Sequence, residues 1–113
     1  MTNKDEAYRH FFERRQRAFL KTLVTEELVA EHKAHPLGQH TEALERLLIY
    51  FRMQPPAGKH AVVTLDPFKA YCIVALSGHR GVPPRAVDDK VYPSEEEAFH
   101  ALFLLRVQKL LES

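Results

Sequence analysis

The residues able to do chemistry in this chain are few, and the densest group is made of histidines. Three of the seven, His32, His35 and His40, follow an H-x2-H-x4-H spacing. On a helix His32 and His35 would share one face, three residues apart, and could hold a metal ion between them. The surrounding types argue against a metalloprotease helix, which needs H-E-x-x-H. Here the segment reads EHKAH, with the glutamate ahead of the first histidine. A polar helix end, where imidazole meets the negative pole of the helix dipole, accounts for the same residues without a ligand. No metal site is therefore expected on this chain.

Covalent catalysis would need a Ser, Thr or Cys beside a base, together with an oxyanion donor. The chain has no G-x-S-x-G elbow and no glycine-rich phosphate loop among its four glycines. Ser77-Gly78-His79 reads as an ordinary exit from a strand. Cys72, the single cysteine, lies in an apolar run, so it is expected to be a buried, reduced thiol in a cytosolic protein. No catalytic residue is assigned. With 16 Lys and Arg against 15 Asp and Glu, the formal charge of +1 gives no net field toward nucleic acid or an anionic membrane. No apolar stretch reaches spanning length free of charges and histidines, and the first ten residues carry no apolar leader. A soluble, cytoplasmic protein with no membrane contact is the expectation.

The elements that would position these residues are legible from periodicity. At 113 residues, 45% of them hydrophobic, the chain is expected to form one domain over 1–113. From Asp5 to about His35 there is no Gly or Pro, and Tyr8, Phe12, Phe19 and Leu23 recur along one helical stripe. Thr25 followed by Glu26 and Glu27 has the form of an N-cap, so this segment reads either as one long helix or as two meeting near Thr22 to Thr25. Thr41 is placed to cap the next helix, in which Leu44, Leu47, Leu48 and Phe51 form the apolar face and Pro55-Pro56 mark the stop. HAVVTL and AYCIVAL, separated by DPFK, predict a β-hairpin; Tyr71, Ile73 and Ala75 alternate with Cys72, Val74 and Leu76, so the second strand should be covered on both faces. Ser77 to Lys90 reads as a loop, with a short third strand expected at Val91-Tyr92. Ser94 with Glu97 three residues on opens a long C-terminal helix, apolar around most of its circumference. One hairpin and two helical segments look too few to enclose it, so an exposed apolar flank is expected there. The fold class is α+β, in the order α-α-β-β-α, with a small antiparallel sheet.

Two stretches read as surfaces for another molecule. Arg9, Arg14, Arg15, Arg17 and Lys21 stand against Glu13 alone, interleaved with Phe11, Phe12 and Phe19. Such a stripe suits a solvated face, an acidic protein partner or the stacked bases of a single strand, and the near-neutral whole chain favours the first two. Before the double proline, Tyr50, Phe51, Arg52 and Met53 are types enriched where proteins meet, with Gln54 and Lys59 beside them; an ordinary helix end, with Phe51 in the core and Arg52 toward water, accounts for the same residues. Phe103 and Arg106 on the last helix complete the candidate partner-binding set.

YFRMQP, Gly58-Lys59, AYCI and EEEAFHALFLLR, with ERRQR and LVAEHKAHPLG upstream, resemble in order the small (alpha) subunit of bacterial N,N-dimethylformamidase. The likeness runs from about Phe12 to Arg106, and the Ser77 to Lys90 loop departs from it. It implies a non-catalytic subunit in a hetero-oligomer, stabilising a large partner. That partner would hold a mononuclear iron with tyrosine and glutamate ligands, and would hydrolyse dimethylformamide or a related small amide to amine and formate. It implies no cofactor on this chain. The alternative that composition leaves open is a free-standing nucleic-acid-binding or regulatory module.

Overall fold

The computed structural model describes residues 3–113. The glycine-free N-terminal segment divides. Helix α1 runs Asn3–Leu23 and α2 runs Glu26–Ala34, and the Thr25 hydroxyl at the break accepts the Leu28 N–H at 3.1 Å. Helix α3, Glu42–Arg52, begins after Thr41 without a side-chain cap from it. Glu31 of α2 instead accepts both the Thr41 N–H (2.8 Å) and the Thr41 hydroxyl (2.7 Å), which clasps the two helices together.

Helix α3 ends at Arg52, short of the expected stop at Pro55-Pro56, with Met53 as its C-cap. The residue before a proline is biased away from helical geometry, and Gln54 is that residue. The exposed carbonyl of Arg52 accepts from the Lys59 ammonium at 2.7 Å, a cation at the negative end of the helix.

The hairpin forms as expected, with β1 at His60–Asp66 and β2 at Ala70–Ala75 paired antiparallel and bulged between Thr64 and Asp66. Its turn places Phe68 at φ 66°, the left-handed region, with the side chain 89% exposed. The Tyr71 hydroxyl accepts the Phe68 N–H at 3.0 Å and holds the turn. A third strand exists but not at Val91-Tyr92. Strand β3 is Arg85–Ala86, immediately after Pro83-Pro84, which favour extended backbone, and Tyr92 contributes a single bridge to Tyr71.

Helix α4, Glu95–Glu112, opens on Ser94, whose hydroxyl accepts the Glu97 N–H at 3.2 Å. It packs against α1, α2, β1 and β2, and its Ala98, Leu102, Phe103, Val107 and Leu110 are buried. Among its large apolar residues only Leu104 and Leu111 are exposed. The expected wide apolar flank is therefore absent from α4. The split at Val24-Thr25 supplies three helical covers where two segments had been counted. Leu20, Leu28, Leu44, Leu47 and Phe51 close the core around it. Cys72 is half-buried, less enclosed than expected, whereas Tyr71, Ile73 and Val74 are buried.

The radius of gyration, 15.8 Å, exceeds the roughly 13 Å of an ordinary chain of this length. Helix α1 is the cause. Its residues 4–16 are all exposed, and only its C-terminal part reaches the body, through Leu20 and through Lys21, which donates to the main-chain oxygen of Ser113. No helix among the described residues is long and apolar enough to cross a membrane.

Gly78 marks the tightest backbone approach. Its φ is +76°, and a Cβ there would lie 2.6 Å from Cα and Cβ of Ala57. Gly81, at φ +83°, faces open space. Gly81→Ala should cost about 1 kcal/mol for the conformation alone, and Gly78→Ala should cost clearly more; urea unfolding midpoints of the two variants give the comparison.

Candidate functional site

The end of α3 and the base of α1 make one continuous surface. Tyr50, Gln54 and Met53 line a groove of about 700 Å³ together with Arg17 and Phe19 of α1. Met53 is 78% exposed, and Gln54 folds back, its amide donating to the Tyr50 carbonyl at 3.1 Å. Arg52 lies along its own helix, with Nε 3.4 Å from the Leu48 carbonyl and Nη2 4.0 Å from Glu45 Oε2, and it stays largely exposed. Phe51 and Phe103 are different: both are buried, edge-on to one another at 6.1 Å between centroids. They support the surface from beneath and do not face outward.

Lys59 and Arg106 meet Tyr50 and Gln54 on a second cavity, a cleft of about 280 Å³ between the end of α3, the start of β1 and α4. Arg106 donates through Nη2 to the His60 carbonyl at 2.9 Å and so ties α4 to the sheet. The eight candidate residues are thus partitioned. Tyr50, Arg52, Met53, Gln54, Lys59 and Arg106 reach surfaces or clefts, while Phe51 and Phe103 belong to the core.

The larger exposed feature is the basic and aromatic stripe of α1. Along α1, Tyr8, Phe11, Phe12 and Phe19 are all exposed, Phe12 at 64%. Phe11 meets Phe12 edge-on at 5.8 Å, and the Arg15 guanidinium sits 5.7 Å from the Phe11 centroid. The four- and seven-residue steps were visible in the sequence, but helical periodicity does not say whether a stripe meets the chain's own core. Phe68 at the hairpin tip was missed outright, since a turn position carries no periodic signal.

The histidines assemble in a way spacing did not indicate. His32 is 2% exposed and its ring stacks on Phe103 at 4.0 Å, with His40 at 6.1 Å and His100 at 5.2 Å. Nδ1 of His32 lies 2.9 Å from Nδ1 of His100, so one nitrogen donates and the other accepts, and the accepting ring is neutral. Nε2 of His40 faces the His35 carbonyl at 2.6 Å and its Nδ1 faces Glu45 at 3.1 Å, while His35 is exposed. Among the described residues no three His, Cys, Asp or Glu side chains converge as a metal donor set. Ser77 engages its hydroxyl with the backbone of its own loop, at His79 and Val82.

Burial, followed by the nearby charges His100 and His40, pushes His32 from 6.5 down to about 4, with Glu31 opposing. Burial and then Lys33 lower His100 as well. A depressed histidine stabilises the fold fully above its unfolded value near 6.5, and that contribution is lost as pH falls toward 4.

A small α+β chain with an aromatic and cationic surface at one end is what the fold and its clefts define. The sequence model of the N,N-dimethylformamidase alpha subunit matches residues 7–113, and the chain belongs to that family. It is 34% identical over 103 residues to the N,N-dimethylformamidase alpha subunit of Alcaligenes sp, covering 87% of this chain and 76% of that one. To the alpha subunit of Paracoccus aminophilus it is 31% identical over 103 residues, covering 87% and 72%.

Lowering pH from 7 to 4 should reduce unfolding free energy by about 2–3 kcal/mol more in the wild type than in His32→Leu, the linkage expected of one depressed histidine. Urea titrations at both pH values measure it.

Proposed function

We propose that this chain is the non-catalytic small subunit of a cytoplasmic, dimethylformamidase-like amidohydrolase, bound in a hetero-oligomer to a larger subunit that it stabilises. The larger chain carries a mononuclear iron, and the complex hydrolyses N,N-dimethylformamide or a related small amide to amine and formate. Such a metal polarises the amide carbonyl and activates a water. The described residues of this chain bring together no donor set that fits iron, so no step of that chemistry is assigned to them.

The observation that carries the reading is the projecting α1, in a member of a family named for its alpha subunits. A free helix in water is marginally stable, and a row of uncovered aromatics along one is a patch of the kind that protein interfaces cover. The α1 stripe continues into the groove that holds Phe19 and Met53. Arg9, Arg14, Arg15, Arg17 and Lys21 around it match an apolar partner surface edged with carboxylates. The same types would serve a nucleic acid, and that reading calls for affinity falling steeply with salt.

Co-expression with a dimethylformamidase large subunit followed by affinity purification tests the reading. Phe12→Asp and Met53→Asp should each weaken the complex at least about tenfold, the scale of losing one interface anchor, while Arg80→Ala in the exposed loop leaves it unchanged. Metal analysis should find iron with the larger chain and none with the purified small chain. A wild-type small chain that stays monomeric and does not associate with the large subunit would overturn the proposal.

A further inference from the structure

The 280 Å³ cleft between α3, β1 and α4 gathers positive charge with no acidic side chain opposite it. Arg17, Lys59, His60, Arg106 and Lys109 all line it, and no Asp or Glu side chain does. The ion pairs found among the described residues, His10–Glu13, His40–Glu45, Arg46–Glu42 and Arg52–Glu45, all lie elsewhere. The Ser113 main-chain oxygen at the rim is taken by Lys21. Arg106, with five N–H donors, makes one hydrogen bond, to the His60 carbonyl; Lys59, with three, makes one, to the Arg52 carbonyl. Donors of both groups remain unengaged among the described residues.

The electrostatics point the same way. Burial lowers the Arg106 guanidinium. Burial and then Arg106 lower Lys59, and burial, Lys109 and Arg106 lower His60. Burial disfavours the charged form of these three groups, and an anion bound beside them would offset that cost.

We propose that this cleft is an anion-binding site that takes one compact oxyanion, a carboxylate or a phosphate, against Arg106, Lys59 and Lys109, with Tyr50 as an apolar wall. Its volume of about 280 Å³ lies just below the usual range for drug-sized ligands and suits a compact anion. The planar guanidinium suits the paired oxygens of a carboxylate or phosphate. Two sources carry this chemistry: a free small anion, or an acidic side chain of a protein partner. The site follows from the cleft alone and does not depend on the subunit reading.

Titration of the full chain at low ionic strength and pH 7 with inorganic phosphate, and separately with acetate, tests it by NMR. Saturable shifts centred on His60 and the Arg106 side chain are expected, with the His60 pKa rising on binding. Arg106→Gln and Lys59→Gln should each weaken binding about tenfold or more, the effect of removing one charged hydrogen bond, and Arg80→Gln should not. Because Arg106 also ties α4 to β1, thermal melts provide a second measure: phosphate should raise the Tm of the wild type and of Arg80→Gln, and not that of Lys59→Gln. Shifts that do not saturate, or that are the same in Lys59→Gln, overturn the site. In the complex with a dimethylformamidase large subunit, retained phosphate binding assigns the site to a free anion, and lost binding assigns it to a carboxylate of the partner.

Discussion

A helix that is apolar around most of its girth has to be enclosed, and the rest of this structure is arranged to enclose α4. The hairpin takes one side, α2 another, and the ends of α1 and α3 a third. That arrangement depends on the interruption at Val24-Thr25. An unbroken helix to His35 would lie along a single line and could not place Leu20 and Leu28 around the same core. The Thr25 hydroxyl that takes up the Leu28 N–H lowers the cost of the break, since it satisfies a donor that the new helix start would leave open.

The stacked rings of His32, His100 and Phe103 are the polar counterpart of that enclosure. They join α2 to α4 through flat faces and one shared proton, in a place where an aliphatic contact would have been simpler. Burial of His32 is tolerated here because its Nδ1 meets that of the half-buried His100, and no buried side-chain nitrogen or oxygen among the described residues lacks a partner. At the opposite end of the core the balance is reversed. Around Arg106 the cations are held by backbone carbonyls, not by carboxylates, so the packing is satisfied in hydrogen bonds and incomplete in charge.

Local chemistry was legible in the sequence wherever it is decided locally. The caps at Thr25 and Ser94, the apolar face of α3 and the hairpin either side of DPFK all follow from neighbours within a few residues, and they lie where expected. The third strand was displaced, because Val91-Tyr92 has the right side chains but Pro83-Pro84 set the backbone earlier. Contacts between distant residues left no trace: nothing in the spacing joins His32 to His100, 68 positions apart, or brings Lys59 and Arg106 to one cleft. The misplacement of the exposed apolar surface has the same origin. Composition identified an excess of apolar surface, but only tertiary structure decides which helix goes uncovered, and it is α1.

Anchorage at one end makes α1 a lever. From its fulcrum at Leu20 back to Lys4 it extends about 24 Å, so a rotation of about ten degrees at the base would sweep the tip through about 4 Å. A rigid arm of that kind converts small adjustments in how its foot is seated into large displacements of its aromatic rings. The identity of the side chains at Leu20 and Lys21 therefore governs the reach of residues several turns away.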